Sequence, residues 1–255
     1  MNASAYLNIS ETHRIAFHKV LPEPAKTSAP GVIFLGGFKS DMTGNKAVFL
    51  EGLARKHGFG CIRFDYRGHG QSSGRFEDHC ISDWAEDAAL VLERLTTGPQ
   101  IVVGSSMGGW ISLLLARRFP GRIAGLIGIA AAPDFTAETM PRRLTPEQTE
   151  TLARTGQVAL PSAYSSEPYV ITRRLLEDGN RNLVLRTPFT LDCPMRLLHG
   201  TADPDVSPDL SRQLLDHVTC DDARLTLVRS ADHRFSDDRA LRLLGATVLE
   251  LMEPA

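Results

Sequence analysis

This sequence contains few cysteines, and its positive and negative charges are nearly balanced. The 255 residues include four cysteines, and no two of them stand in C-x-x-C spacing, so a disulfide framework or a zinc ribbon is not indicated. We expect reduced thiols in a cytoplasm-like compartment. The formal net charge is −2 at pH 7, which gives no electrostatic reason to expect nucleic acid or an anionic membrane as a partner.

Long apolar runs and cofactor motifs are lacking as well. No apolar run approaches the ~18 residues that a membrane-spanning helix needs, and the first ten residues do not have the pattern of a secretory signal. The sequence contains no phosphate-binding loop and no complete dinucleotide fingerprint. His13 and His18 do not lie on a convincing metal-ligand face. We therefore expect a protein without a membrane span, a metal ion or a cofactor.

Short apolar runs alternate with amphipathic helical patterns along most of the chain. Runs that are apolar throughout are typical of parallel strands covered on both faces. The sequence thus predicts an α/β fold with a mostly parallel sheet and helices on both faces, preceded by an antiparallel pair within residues 6–21. The predicted strands are 32–35, 60–64, 101–103, 123–130, 195–198 and 224–228, and the predicted helices are 45–57, 82–95 with Ser82 as N-cap, 109–118, 208–218 and 237–252.

The segment 133–188 breaks this alternation. It is polar and rich in proline, with helical patterns near 146–155 and 168–178 and no strong strand. We interpret it as a helical cap or lid inserted into a core formed by 1–132 and 189–255. Its apolar residues could shelter an acyl chain or could simply pack the cap onto the core; they are Leu144, Leu152, Val158, Leu160, Tyr164, Tyr169 and Ile171.

One pentapeptide has the form of a nucleophile elbow. Gly104-Ser105-Ser106-Met107-Gly108 follows the apolar run 101–103 and precedes a helical pattern, and strand, G-x-S-x-G and helix in this order expose a serine above the edge of a sheet. Small residues must flank the serine, because longer side chains would collide with the neighbouring backbone. The pattern predicts Ser106 as a nucleophile, with Ser105 pointing away.

Two later loops supply the partners that such a serine needs. Asp203 follows the strand 195–198, and His233 follows the strand 224–228, so parallel pairing brings both loops to the edge at which Ser106 lies. Histidine titrates near neutrality and can take the serine proton, and a carboxylate holds the imidazole in one tautomer. Asp203 is preferred over Asp205 as the acid. Asp232 is adjacent to the histidine, so its side chain should point elsewhere.

A tetrahedral oxyanion needs two backbone N–H donors. We expect Met107, which follows the nucleophile, to supply one, and Phe38, which follows Gly36-Gly37 after the strand 32–35, to supply the other. The alternative is that the two glycines only begin a loop. The glycine-rich stretch 65–74 is interpreted as a structural turn beside the elbow, with substrate contact by Arg67 and His69 as the alternative.

From residue 32 to His233 these motifs resemble the α/β-hydrolase superfamily. More closely, they are similar to the mitochondrial palmitoyl-protein thioesterase family, also known as mycophenolic acid acyl-glucuronide esterases. The similar segments are 61–66, 98–101, 104–110, 193–194, 196–200 and 230–234.

The resemblance implies a nucleophile, acid and base at Ser106, Asp203 and His233. It also implies cleavage of acyl thioesters or acyl glucuronides without metal or cofactor. The substrate is then a small acyl ester or thioester, or an acylated protein. This chain lacks an Arg-rich presequence, so we expect a cytoplasmic member. A short-chain carboxylesterase, another C–X hydrolase of this fold and a ligand-binding protein without turnover remain the alternatives.

Overall fold

The computed structural model describes residues 4–161 and 168–253. Within these ranges the strands are β1 (Ala5–Asn8), β2 (Arg14–Val20), β3 (Gly31–Leu35), β4 (Cys61–Phe64), β5 (Gln100–Ser105), β6 (Ile123–Ile129), β7 (Gln157–Leu160), β8 (Tyr169–Thr172), β9 (Phe189–Thr190), β10 (Met195–Gly200), β11 (Val218–Thr219) and β12 (Ala223–Val228). The helices are α1 (Asn45–His57), α2 (Ile81–Leu95), α3 (Met107–Arg118), α4 (Phe135–Glu138), α5 (Met140–Arg143), α6 (Pro146–Thr155), α7 (Arg173–Gly179), α8 (Pro208–His217) and α9 (Asp238–Met252).

A central sheet with strand order β1-β2-β4-β3-β5-β6-β10-β12 organises the fold. Strands β1, β2 and β4 pair antiparallel, and from β4 to β12 all neighbours are parallel. The predicted opening hairpin and the mostly parallel sheet are therefore confirmed. Because β3, β5, β10 and β12 run in the same direction, the loops that follow them leave from one edge of the sheet.

Helices cover both faces of this sheet, as the wholly apolar strands predict. One face packs against α2, α3 and α8, with Trp84, Trp110 and Leu214 in its core. The other packs against α1 and α9 through Leu50 and Leu244. All five of these side chains are 1% exposed or less, and burial of such large apolar groups stabilises a fold by about 25 cal/mol per Å².

The start of α2 differs from the prediction. The helix begins at Ile81 with Cys80 as its N-cap, and the Asp83 carboxylate accepts the Cys80 N–H at 3.1 Å. Asp83 lies three residues after the cap, where an acidic side chain can reach back to the cap's N–H. Ser82 is therefore inside the helix, and its hydroxyl donates to Asp178 at 2.7 Å.

The chain leaves the central sheet after β6 and returns to it at β10. Helices α4 to α7 lie in this excursion, and the predicted helix 146–155 is confirmed as α6. The segment also contains the short antiparallel pair β7–β8, which the expectation of a helical cap with no strong strand does not include, and the helix near 168–178 begins only at Arg173. Tyr164 lies outside the described residues. We keep the division into a core and a 133–188 cap as a proposal.

No helix among the described residues has both the length and the apolar character needed to cross a bilayer. The four cysteines are free thiols. Burial raises the pKa of Cys61 to about 12, so this thiol stays protonated.

Candidate active site

The turn between β5 and α3 holds Ser106 in a conformation that is rare for a residue with a side chain. Ser106 has φ 54° and ψ −116°, and such backbone costs on the order of 1–3 kcal/mol. Hydrogen bonds hold it there: Ser106 N donates to Ile129 O at 2.9 Å, and Ser106 O accepts from Gly109 N at 2.9 Å and from Ala132 N at 3.1 Å. This geometry is that of a nucleophile elbow.

Glycine is required on both sides of the serine because other backbone lies against it. A Cβ atom on Gly104 would be 2.3 Å from Gly108 O, and a Cβ atom on Gly108 would be 2.1 Å from Leu35 O. Real Cβ atoms do not approach backbone so closely, and backbone cannot move aside as the end of a side chain can. The predicted reason for small residues at these positions is therefore confirmed.

We expect Gly108→Ala to destabilise the protein by about 1–3 kcal/mol, the size that overpacking and backbone displacement commonly cost. Gly52→Ala is the matched control, because Gly52 is also helical but a Cβ atom there would meet nothing within 4 Å. That control should stabilise by about 0.5–1 kcal/mol, the helix-propensity difference. Urea unfolding measures the change in the free energy of unfolding for each variant relative to wild type. Equal changes in the two variants would contradict the steric argument.

Ser106, His233 and Asp203 are in hydrogen-bond contact at the sheet edge. His233 Nε2 lies 3.2 Å from Ser106 Oγ, and His233 Nδ1 lies 2.8 Å from Asp203 Oδ2. The loops after β10 and β12 meet there, since Ala202 N donates to Ala231 O at 3.0 Å. The structure thus brings together the serine, the histidine and the carboxylate that the sequence predicts, with the histidine between the other two.

The Asp203 carboxylate is stabilised as an anion although its side chain is fully buried. Burial alone raises its pKa, but hydrogen bonds from His199 and His233 and from the Val206 N–H outweigh burial, so the pKa lies well below its ordinary value. The competing carboxylates have other partners. The Asp205 carboxylate lies 3.7 Å from Arg143, and the Asp232 carboxylate accepts the Phe235 N–H at 3.1 Å.

His199 also contacts this site, although the sequence motifs predict no role for it. The residue is the fifth of the six in β10, its side chain is fully buried, and its Nε2 lies 3.1 Å from Asp203 Oδ2. The sequence alone does not predict this contact, because a histidine four residues before the acid reaches it only if the loop after β10 turns back.

The loop after β3 packs against the elbow. A Cβ atom on Gly37 would lie 3.4 Å from Ser105 O and 3.5 Å from Ser106 Cβ, so the backbone that carries the Phe38 N–H is next to the serine. Phe38 and Met107 both line the cavity above Ser106. The Phe38 ring is fixed edge-on between aromatic neighbours, with Phe76 at 4.8 Å and Phe135 at 5.7 Å between ring centroids.

Arg67 and His69, which both lie in the glycine-rich turn, have structural partners, and neither residue lines the cavity. Arg67 pairs with the buried Asp87 at 2.7 Å. His69 is 4% exposed; its Nε2 accepts the Lys39 N–H at 3.2 Å, and its Nδ1 lies 3.2 Å from Arg67 O. The interpretation of this stretch as a structural turn is supported, and His69 anchors the loop that carries Phe38.

His69 should make stability dependent on pH. Burial lowers its pKa from 6.5 to about 4, so the unfolded chain binds the proton first. The contribution of His69 is complete above pH 6.5 and is lost as the pH falls through about 4, up to about 3 kcal/mol. His69→Gln should reduce the change of the unfolding free energy with pH over this interval. His57→Gln, on the exposed end of α1, is the control and should keep the wild-type dependence on pH. If the unfolding free energy changes equally with pH in all three proteins, the prediction is contradicted.

A cavity of about 710 Å³ lies above Ser106. Its apolar lining comes from the core and from the excursion between β6 and β10, and it includes Phe38, Met107, Phe135, Met140, Leu160, Tyr169 and Ile171. Basic side chains also line it, namely Lys39, Lys46, Arg143 and Arg234. The space is large enough for an acyl chain together with part of a polar leaving group.

Only one group of potential metal ligands is found among the described residues, and it belongs to the same site. Ligand atoms of Asp203, Asp205 and His233 lie within 4.8 Å of one another. The Asp203 oxygens are already engaged by hydrogen-bond donors: His233 Nδ1 and His199 Nε2 on Oδ2, and the Asp205 and Val206 N–H groups on Oδ1. This arrangement suits a carboxylate that orients a histidine.

Comparison with known sequences places these features among hydrolases. A family model described as alpha/beta hydrolase fold matches residues 30–154. The human protein named palmitoyl-protein thioesterase ABHD10, mitochondrial, is 34% identical over 250 residues, which cover 98% of this chain and 80% of the human protein.

Solved structures give the same relationship. A putative hydrolase from Agrobacterium vitis S4 is 39% identical, with a TM-score of 0.92 and coverage of 98% of both chains. Alpha/beta hydrolase domain-containing protein 10 from mouse is 33% identical, with a TM-score of 0.88 and the same coverage. The name of the human relative assigns that protein to mitochondria. Our expectation of a cytoplasmic location for this chain stays a prediction.

Proposed function

The chain belongs to the alpha/beta hydrolase family, and we propose that it is a serine hydrolase that cleaves carboxylic thioesters and esters through an acyl-enzyme on Ser106. Hydrolysis of ester or thioester bonds is the activity of the family's thioesterase and esterase members, and this chain is a hydrolase of that kind. The observation that carries the finer proposal is the hydrogen-bonded series Ser106, His233, Asp203.

In the first half-reaction His233 Nε2 takes the Ser106 proton while Ser106 Oγ attacks the carbonyl carbon. Nε2 must be unprotonated for this step, and the Asp203 carboxylate favours the tautomer with its proton on Nδ1 because it accepts a hydrogen bond from the Nδ1–H group. The negative charge that develops on the carbonyl oxygen is stabilised by the N–H groups of Phe38 and Met107. Each such donor is worth about 2.7–4 kcal/mol of barrier in a preorganised site.

The protonated His233 then gives its proton to the leaving group, which departs and leaves the acyl group on Ser106. In the second half-reaction the neutral His233 takes a proton from water while the water oxygen attacks the acyl carbonyl carbon, and it returns a proton to Ser106 Oγ when the acid is released. A thiol leaves readily as a thiolate, which takes the His233 proton afterwards, so a thioester requires less help from the acid than an alkyl ester does. This chemistry uses groups of the chain, the substrate and water.

The apolar lining of the cavity supports a substrate with an acyl chain. Leu160 is half-buried and lies on β7 against this space, so Leu160→Trp shortens it. We expect the ratio of kcat/KM for palmitoyl over butyryl thioesters to fall about tenfold or more, since each methylene that loses its pocket is worth about 1–3 kcal/mol.

Leu21→Trp is the control, because Leu21 is 70% exposed and does not line the cavity. Thiol release measured with both substrates gives the ratio for each variant. If the wild-type protein prefers butyryl over palmitoyl thioesters, and Leu160→Trp leaves that preference unchanged, the long-chain proposal fails and the short-chain carboxylesterase alternative is favoured.

The basic lining supports a second candidate, hydrolysis of acyl glucuronides, whose leaving group carries a carboxylate. Lys39, Arg143 and Arg234 line the cavity, and their positive charges would attract an anionic leaving group. Comparison of an acyl glucuronide with its methyl ester, which lacks the charge, tests this candidate. A higher kcat/KM for the charged form supports it, and equal values contradict it.

A further inference from the structure

The Asp203 carboxylate accepts hydrogen bonds on both of its oxygens, and a ring nitrogen of a second histidine also lies against one of them. Oδ1 accepts the N–H groups of Asp205 at 2.8 Å and Val206 at 2.9 Å. Oδ2 faces His233 Nδ1 at 2.8 Å and His199 Nε2 at 3.1 Å. We infer that His199 is a positioning residue of the hydrolase, which fixes the carboxylate and limits how strongly it polarises His233. This inference rests on the proposed catalytic roles of Ser106, His233 and Asp203.

The surroundings of His199 determine which of its nitrogens carries a proton. Nε2 lies 3.0 Å from Val206 O and 3.1 Å from Asp203 Oδ2. A carbonyl and a carboxylate can only accept, so Nε2 must be the N–H donor. Nδ1 lies 2.7 Å from Ser211 Oγ, and the Ser211 hydroxyl can donate to it. The tautomer that the contacts require is therefore the one with its proton on Nε2, and this single N–H lies between Val206 O and Asp203 Oδ2.

Two rings consequently share one carboxylate oxygen. The Asp203 and His199 side chains are both fully buried, so no water competes for this oxygen and the contact is electrostatically strong. The N–H group of His199 restricts the rotation of the carboxylate and uses part of the ability of Oδ2 to accept hydrogen bonds. The ability that is left acts on His233 and determines how firmly that imidazole holds a proton. Loss of His199 should thus increase the pull of Asp203 on His233 as well as loosen its orientation.

A purely structural role would depend on the space that His199 fills, whereas a positioning role depends on the donor. Gln and Met side chains are close in length and shape, but only Gln carries an N–H group that can reach the place of Nε2. His199→Gln and His199→Met therefore form a matched pair. Thr247→Val is the control for loss of a buried hydrogen bond away from the site, since the Thr247 hydroxyl donates to Leu243 O within α9 at 2.9 Å.

We expect kcat for a short thioester to remain within about threefold of wild type in His199→Gln and to fall about tenfold or more in His199→Met, the range in which partners of reacting groups commonly act. Thr247→Val should keep the wild-type kcat. The acidic limb of the kcat/KM profile should move to higher pH in His199→Met and stay in place in His199→Gln. If His199→Gln and His199→Met both fold and have the same kcat and the same acidic limb in the kcat/KM profile, the inference is overturned.

A measurement on the unaltered protein does not depend on whether the variants fold. In ¹⁵N spectra His199 Nε2 should have the shift of a protonated ring nitrogen from pH 6 to 8, and an unprotonated Nε2 would overturn the inference. Failure here is distinguishable from failure of the proposed function. If Ser106→Ala is inactive while His199→Gln and His199→Met have equal activities, only the inference about His199 fails. If Ser106→Ala retains activity, the assignment of Ser106 as the nucleophile is wrong.

Discussion

Replacing Ser106 with alanine should lower kcat toward thioesters by about 10⁶-fold, the loss found when the nucleophile of a serine triad is removed. The reason is geometric. Ser106 Oγ is the atom that meets His233 Nε2 at 3.2 Å, and alanine leaves the histidine with no proton to accept. KM should change little, because the cavity lining is otherwise intact. Release of thiol from a palmitoyl thioester under saturating substrate is the measurement.

Ser105→Ala is the matched control for this prediction. Ser105 is adjacent and also a serine, but it is 6% exposed and is the last residue of β5, so its loss should leave kcat within a few-fold of wild type. A large loss in Ser105→Ala together with activity in Ser106→Ala would mean that the register of the elbow is wrong.

Replacing Asp203 with asparagine should lower kcat by about 10⁴-fold, as expected when an amide stabilises the wrong imidazole tautomer. The amide oxygen can still accept from one ring, but the amide nitrogen would donate, and the Asp203 position is surrounded by donors. His233 Nδ1 and the Val206 N–H donate to it, and His199 Nε2 lies 3.1 Å from it. Activity assays combined with circular dichroism separate a loss of catalysis from a loss of folding.

Asp205→Asn is the control because Asp205 is the other carboxylate of the same loop. Its carboxylate pairs with Arg143 at 3.7 Å, whereas the oxygen at 2.8 Å from His233 Nδ1 belongs to Asp203, so we expect a change of no more than about tenfold, consistent with a modest effect of a partly exposed ion pair. A greater loss in Asp205→Asn than in Asp203→Asn would reverse the assignment of the acid.

Much of the site could be predicted because each of its parts depends on local sequence. The elbow needs glycine at fixed positions, and Gly104 and Gly108 are confirmed as places where a side chain would meet backbone. The parallel direction of β5, β10 and β12 follows from the alternation of short strands with amphipathic helices along the chain, and it brings Ser106, Asp203 and His233 to one edge.

Other features depend on contacts between distant segments and were not predictable in this way. The hairpin β7–β8 is stabilised by pairing rather than by strongly apolar strands. Ser82 looked like an N-cap because serine favours that position, but Asp178, almost a hundred residues later, accepts its hydroxyl. The contact between His199 and Asp203 depends on how the loop after β10 turns back, which residue types alone do not determine.

The most direct test of the central claim is to quench the protein during turnover of a palmitoyl thioester and to map the acyl group by peptide mass spectrometry. Catalysis through a Ser106 nucleophile predicts one palmitoyl ester per chain, located on Ser106, present in Ser105→Ala and absent from Ser106→Ala. An acyl group on another residue, or rapid turnover by Ser106→Ala, would contradict it.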